Sequence, residues 1–186
     1  MIQFDPHLHQ YRVEGKVLPS VSEIMRGMSE NYYSNVHPAV LQHAADRGTR
    51  VHKAIEIYER LGIEPDDDTW VYFDRYLKAK KKHKFEVVQT EIMLTNFQYC
   101  GTLDQLILIN GELAINDIKV TSKRNIELLE VQLAAYEELA LYNMKKVKKC
   151  YCTHLTKTSG VMVEIKPNRE LWQRKKAEWR FMESLK

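Results

Sequence analysis

The sequence predicts a mixed α/β domain, and three features of its 186 residues carry that expectation. Asn110-Gly111 separates two apolar runs, one following Gly101 and Asp104 and the other leading to Asp117-Ile118-Lys119. Asn-Gly in that setting is the strongest short-range signal for a β-hairpin. Apolar residues recur with helical spacing from Pro38 to Leu61, and after Thr121-Ser122 a second long helix is expected from about Ile126 to Tyr142. A strand-like run, Val147 to Thr153, is reached only through the second helix, which permits parallel pairing with an earlier strand.

In chain order, the segment from Phe4 to Pro19 alternates about Glu14-Gly15 and reads as a small hairpin. His7 and His9 within it have the spacing of metal ligands, but with no acid or thiol beside them they read more simply as solvent-facing strand histidines. Ser20 with Glu23 fits a capping box. The helix from Pro38 carries Val40, Leu41, Ala44, Ala45, Val51, Ala54, Ile55 and Tyr58 on its apolar positions, and Gly62 ends it. Asp66-Asp67-Asp68 lacks the spacing of an EF-hand loop and fits the cap of a helix from Trp70 to Lys82. Val71, Phe73, Tyr76 and Leu77 are the expected inward positions of that helix. A strand from Phe85 to Leu94 precedes the hairpin. After the second long helix come the strands Val147–Thr153 and Val161–Ile165, then a helix capped by Asn168 and carrying Leu171, Trp172, Trp179, Phe181 and Met182. A single domain spanning 1–186 is expected, with a hairpin and helices in 1–84 and a sheet-bearing core in 85–186.

Composition narrows the class. Hydrophobic residues at 44% and charged residues at 28% are ordinary for a globular protein, and no apolar run reaches membrane-spanning length. The N-terminal residues lack the plan of a signal peptide, so a cytoplasmic protein with no membrane partner is expected. A net charge of +3 is too small to argue for nucleic acid by itself. Lysines nonetheless cluster in 78–84 and 145–149, and basic residues again in 174–176, as solvated helix ends or as a phosphate-neutralising surface. Three cysteines, Cys100, Cys150 and Cys152, fall short of the four an iron–sulfur cluster takes, and Cys150-Tyr-Cys152 lacks zinc-site spacing.

The chemistry concentrates in the hairpin. It brings Asp104 near Asp117, and Lys119 lies two residues on, on the same strand face as Asp117. Two carboxylates with a strand carbonyl, that of Ile118, suit a hard cation such as Mg²⁺ or Mn²⁺, and Lys119 suits stabilisation of developing negative charge. The plain alternative is a surface Asp–Lys pair worth at most about 1 kcal/mol. Apolar residues on both faces of the strand around Leu106 to Ile109 argue instead for a central position, where such charges need a reason. Gly48, His52 and Glu56 share one helical face. There, Gly48 permits close approach of a backbone or a substrate, and His52 is either paired with Glu56 or part of the site. Glu91 is either an edge acid or a third carboxylate. Gln132 and Tyr136, four apart, read as a surface glutamine beside a packing tyrosine.

Together these residues are familiar. Gly101-Thr102-Leu103-Asp104 and Asp117-Ile118-Lys119-Val120-Thr121-Ser122 resemble the core signature of PD-(D/E)xK nucleases. Within that superfamily the likeness is to RecB-family exonucleases and to the small phage-type and mitochondrial genome-maintenance exonucleases. Gly48-Thr49-Arg50-Val51-His52 resembles that family's histidine motif, and Gln132-Leu-Ala-Ala-Tyr136 its Gln-x-x-x-Tyr motif. Tyr11 to Gly15 with Leu18 to Val21 resembles the entry segment of the small members. The resemblance implies a restriction-endonuclease-like αβββαβ core, its mixed sheet flanked by helices, with an N-terminal hairpin and a helical arch within Ser29 to Trp70. It implies Mg²⁺ or Mn²⁺ held by Asp104, Asp117, the Ile118 carbonyl and His52, with Lys119 catalytic and Glu91 beside them. Gln132 and Tyr136 would support Lys119 or hold DNA, with Gly48, Thr102, Thr121 and Ser122 lining its path. No iron–sulfur cluster is implied.

The implied activity is that of a metal-dependent DNA exonuclease acting on single strands or ends in replication, recombination or repair. A structure-specific endonuclease of the same superfamily and a catalytically silent DNA-binding or assembly module are the alternatives. DNA is the expected partner, with a separate helicase or recombination protein and self-association as further ones, in the host-cell cytoplasm if the chain is phage-encoded.

Overall fold

The computed structural model describes residues 1–5, 8 and 10–185. His7 and His9 lie outside the described residues. In chain order the elements are β1 (Ile2–Asp5), β2 (Gln10–Val13), β3 (Lys16–Leu18), α1 (Val21–Ile24), α2 (Arg26–Tyr33), α3 (Pro38–Leu61) and α4 (Trp70–His83). There follow β4 (Glu86–Thr95), β5 (Cys100–Ile109), β6 (Glu112–Lys119), α5 (Ile126–Tyr142), β7 (Lys149–Leu155), β8 (Gly160–Ile165) and α6 (Arg169–Ser184).

The hairpin is where its turn residues put it. Asn110 and Gly111 take φ of 51° and 77°, the paired left-handed conformations of a type I′ turn, and Ile109 faces Glu112 across it. Five strands make the main sheet in the order β4-β5-β6-β7-β8. Only the β6–β7 pair is parallel, because α5 carries the chain back over the sheet between them. The short strands β1, β2 and β3 form a separate antiparallel sheet. It is tied to the main one by the Cys100 N–H donating to the Pro19 carbonyl at 2.9 Å. Ser20 then starts α1 through the predicted capping box, its hydroxyl accepting from the Glu23 N–H at 3.0 Å and its own N–H donating to Glu23 Oε2 at 2.7 Å.

Helices cover both faces of the sheet. On one side α1, α5 and α6 bury Leu103, Ile115, Leu133, Leu139 and the fully enclosed Trp172. Lys176 crosses that layer beside the Tyr99 and Trp172 rings and is held by both Glu138 oxygens at 2.7 and 2.8 Å. On the other side α3 and α4 bury Val51, Ile55, Phe73 and Tyr76 against Ile107 and Ile118. The fold is therefore α/β, a mixed sheet flanked by helices.

Several positions differ from the pattern read off the sequence. The inward stripe of α4 is Tyr72, Phe73, Tyr76 and Ala79, whereas Val71 is exposed and Leu77 sits at the margin. Apolar residues at both Val71 and Tyr72 leave the phase of such a helix open by one residue. In α3 only the second half packs inward, and Val40 is 59% exposed. Phe181 and Met182 at the end of α6 are exposed as well. Of the three aspartates, Asp67 accepts from the Thr69 N–H and hydroxyl at 2.8 and 2.5 Å, and Asp68 takes Arg50 at 2.7 Å. Among the described residues no helix is long and apolar enough to cross a membrane.

Two expectations test this packing. A Cβ on Gly160 would press on the Arg75 carbonyl oxygen and lie 2.8 Å from its carbon, so Gly160→Ala forces α4 off β8. Urea unfolding should show a loss of about 1–3 kcal/mol. All three thiols are free and buried, and burial pushes those of Cys150 and Cys152 up to about 12. With so little thiolate, none should react with an aromatic disulfide reagent at pH 8 until the protein is unfolded.

Candidate functional site

The site forms where the two hairpin strands part. Their ladder runs from the turn to the Gln105–Asn116 pair. Beyond it the Asp104 carboxylate takes the place of a strand carbonyl, Oδ2 accepting the Ile118 N–H at 2.7 Å. Side-chain alternation on β5 breaks at the same residue. Leu103 packs in the α5-side core, yet Gln105 donates to Tyr76 on the α4 side at 2.8 Å; two residues apart on a regular strand would share a face. Across from Asp104, between the Thr90–Gln105 and Ile92–Leu103 pairs, Glu91 has a φ of 51°. A left-handed non-glycine residue inside a strand costs on the order of 1–3 kcal/mol, and here it accompanies a carboxylate turned toward Asp104 and α3.

From α3, anchored by the wholly buried Val51 and Ile55, His52 reaches the same spot. Its Nε2 lies 2.9 Å from the Ile118 carbonyl oxygen, which only accepts, so Nε2 carries a hydrogen and donates it. That fixes Nδ1 toward the carboxylates, 3.6 Å from Asp104 Oδ1 and 3.9 Å from Glu91 Oε1. Donor atoms of His52, Glu91 and Asp104 all fall within 4.8 Å of one another, a grouping able to hold a metal ion. Burial lowers the His52 pKa, but Asp104 and Glu91 outweigh both it and Lys119 and lift the imidazole to about 9. Glu56, the other partner considered for His52, is occupied by Lys53 at 2.9 Å and Arg60 at 3.0 Å.

Asp117 and Lys119 flank this group from the α5 side of β6. Asp117 is 1% exposed, and Lys119 Nζ sits 2.9 Å from its Oδ1 and 2.8 Å from its Oδ2. The second contact lacks hydrogen-bond geometry, so Oδ2 is buried with a lone pair unused. Burial raises the Asp117 carboxyl to about 6 against the pull of Lys119. The ammonium, which burial alone would depress, is held up at about 12 by Asp117 and Asp104.

The remaining expected residues surround this core. Gly101 makes room for α5, since a Cβ there would come 2.7 Å from Tyr136 Cε1. Burial, then Asp104 and Asp117, push the Tyr136 hydroxyl well above its ordinary value, with a hydrogen bond to the Gln132 side chain opposing. Thr102 meets the Tyr11 hydroxyl at 2.8 Å. Thr121 gives its carbonyl to His154 Nε2 at 2.6 Å and its hydroxyl to the Lys123 carbonyl at 2.8 Å. Gly48 and Ser122 line a wide groove of about 1230 Å³ between the exposed half of α3, α2 and the end of β6. Among the described residues, a Cβ on Gly48 would meet nothing within 4 Å beyond its own helix backbone.

Sequence reasoning missed the support beneath the site. Thr153 donates to Asn116, Asn116 to Gln105, Gln105 to Tyr76 and Tyr76 to Glu59, the first three at 2.8 Å and the last at 2.7 Å. Gln105 and Asn116 inside apolar strands were the available signal, since buried amides demand partners.

No family model matches the chain, and none of the curated proteins searched matches it. Among solved structures the fold resembles that of SSO0001, with a TM-score of 0.50, 14% identity, and 95% of this chain and 80% of that one covered. A chain described as a "putative exonuclease" from Eubacterium rectale aligns with a TM-score of 0.48 and 13% identity, over 71% of this chain and 63% of that one.

Asn116→Leu would strand Gln105 Oε1 and the Thr153 hydroxyl in the interior, each unsatisfied group costing about 1–3 kcal/mol. Denaturant titration should register a loss of roughly 2–4 kcal/mol on that basis.

Proposed function

We propose that this chain is a divalent-metal-dependent DNA exonuclease of the PD-(D/E)xK, RecB-like type. The observation that carries the reading is the convergence of His52, Glu91 and Asp104 beside the buried Asp117–Lys119 pair. The order α3-α4-β4-β5-β6-α5-β7 is the αβββαβ order that the sequence resemblance implies with one helix, α4, inserted after the first, and it supports the reading.

The donor set fits Mg²⁺ or Mn²⁺. Carboxylate oxygens dominate it, with one imidazole nitrogen whose partner nitrogen is committed to a backbone carbonyl, the arrangement that orients a ligating histidine. Asp117 Oδ2, in ion-pair contact with Lys119 but accepting no hydrogen bond, adds an oxygen with a lone pair to spare. Asp104, Glu91 and His52 would hold the ion, with Asp117 and the second lone pair of the Ile118 carbonyl alongside. Bound there, such an ion supplies activation of the attacking water and neutralisation of charge on the phosphate.

The chain's own groups do the rest. Lys119, charged at any physiological pH, is fixed by Asp117 where negative charge develops on the phosphate. Tyr136, kept protonated by its surroundings, offers its hydroxyl as a donor near the carboxylates. The groove beside Lys119 has an apolar wall formed by Tyr32, Val36, Val40 and Ala44. Such a wall suits the unstacked bases of a single strand better than a duplex backbone, and it supports an arch within Ser29 to Trp70.

End-labelled linear and closed circular DNA, single- and double-stranded, incubated with Mg²⁺ or Mn²⁺, test the reading. Linear single strands should be degraded; cutting of circles would favour an endonuclease, and inertness toward every substrate would overturn the enzyme reading. Lys119→Ala should lower the rate by about 10²–10³-fold while calorimetric Mn²⁺ affinity holds, whereas Glu91→Gln and Asp104→Asn should weaken Mn²⁺ binding. Because Nδ1 of His52 must lose its proton to coordinate, Mn²⁺ binding at pH 7.5 should release protons. Its affinity should climb as pH rises toward about 9.

A further inference from the structure

Lys119 also borders a second opening. Adjoining the wide groove, with which it shares Tyr33, Lys119, Thr121 and Lys123, a cavity of about 170 Å³ lies among α1, α2 and the start of α5; its polar lining includes Ser22, Ser29, Arg124 and Gln132. No carboxylate is among the described residues that line it. Arg124 Nη1 is buried there with no hydrogen-bond partner, an expensive omission for a charged group unless a ligand fills it. Asn125, the N-cap of the 17-residue α5, also lines it, and Met25, Leu128 and Leu129 supply an apolar side. The positive end of that helix and its first free N–H groups therefore border the cavity.

We propose that this cavity binds the terminal phosphomonoester of the strand being degraded, an inference that rests on the nuclease reading of the adjoining site. A terminal phosphate near pH 7 carries close to two negative charges and three acceptor oxygens, which the guanidinium, the two ammonium groups, the serine hydroxyls and the α5 N–H groups complement. A phosphodiester within a chain carries a single charge and continues in both directions, so it needs an open-ended path. The wide groove has several times the volume for that, whereas the cavity of about 170 Å³ has room for a terminal group. The shared Lys119 places the terminal phosphate next to the reacting phosphate, so the same cavity that grips the end selects it. The chemistry fits a 5′ or a 3′ phosphate equally.

Four oligonucleotides of one sequence decide it, ending in 5′-phosphate, 5′-hydroxyl, 3′-phosphate or 3′-hydroxyl. They are compared as substrates with Mn²⁺, and as fluorescent ligands by anisotropy without metal. Charge-assisted hydrogen bonds to the end predict a preference of about tenfold or more for the phosphate at one terminus, and that terminus gives the polarity. In Arg124→Gln and in Lys123→Gln the phosphate-to-hydroxyl ratio should fall toward one, whatever the absolute rates. Circular dichroism should confirm that each variant is folded. Equal rates and affinities for all four ends would overturn the proposal while leaving the nuclease reading standing. A preference undiminished in both variants would also overturn it. Should no DNA be cleaved, the nuclease reading fails by itself, and retained discrimination in the anisotropy measurement would still uphold the cavity as a phosphate site.

Discussion

The peptide unit of Ile118 is the constraint on which the site depends. In a continuous hairpin its N–H and carbonyl would be spent on neighbouring strands. Here Asp104 takes the N–H and His52 meets the carbonyl. One backbone group thus fixes an acid from β5 and an imidazole from α3, 66 residues away, in a single small volume. Neither contact would form if the ladder continued past the Gln105–Asn116 pair. The parting of the strands is therefore what creates the site, and the buried amide chain from Thr153 to Glu59 holds the sheet together directly behind it.

Electrostatics follow from that geometry. Three carboxylates, those of Glu91, Asp104 and Asp117, gather in a volume with little water, and Lys119 and a protonated His52 are the cations that answer them. The directions of the pKa shifts agree: both cations are raised, while Asp117, the most buried acid, is also raised and so resists ionisation. A cluster in which a histidine is driven to about 9 and a carboxyl to about 6 is holding protons where a divalent cation would satisfy the same oxygens. Such an arrangement contributes little to folding by itself, because buried ion pairs barely recover their desolvation, which is why a functional reason for it is the stronger account.

Much of this was legible in the sequence, for identifiable reasons. The bounds of α3 were readable because Pro38 and Gly62 punctuate a strong helical period, and the hairpin because Asn110-Gly111 admits few other conformations. β1 was not, since four residues starting at Ile2 show no period and gain a partner only by folding back on β2. Asp104, Asp117 and Lys119 stood out as charges in apolar strands. The place of His52 came from the resemblance alone, because helical spacing offered Glu56 as an equally good neighbour. The left-handed backbone at Glu91 has no compositional sign at all; it reflects where β4 must bend to keep pairing with a strand whose alternation breaks at Asp104.

Lys119 borders two adjoining openings, one small and rich in cations and the other wide, and their difference bears on the proposed substrate. The groove toward α2 and α3 is wide and largely apolar, walled by a helix half that buries nothing of the core. An exposed apolar helix face flanking a cationic centre is costly in water unless something covers it, and nucleic-acid bases have the flat, weakly polar faces to do so. The cavity toward α5 is small, carries cations and hydroxyls beside an apolar side of Met25, Leu128 and Leu129, and has no acid among its described lining residues, which suits it to a phosphate end. A polymer with charged groups along one edge and flat rings along the other can engage both at once only if it enters end-first, its last phosphate in the cavity and its bases trailing along the groove. A duplex presents its bases inward and leaves the apolar wall uncovered. On the proposed nuclease reading, the two surfaces together would favour a single strand with a free end, a selection neither would make alone.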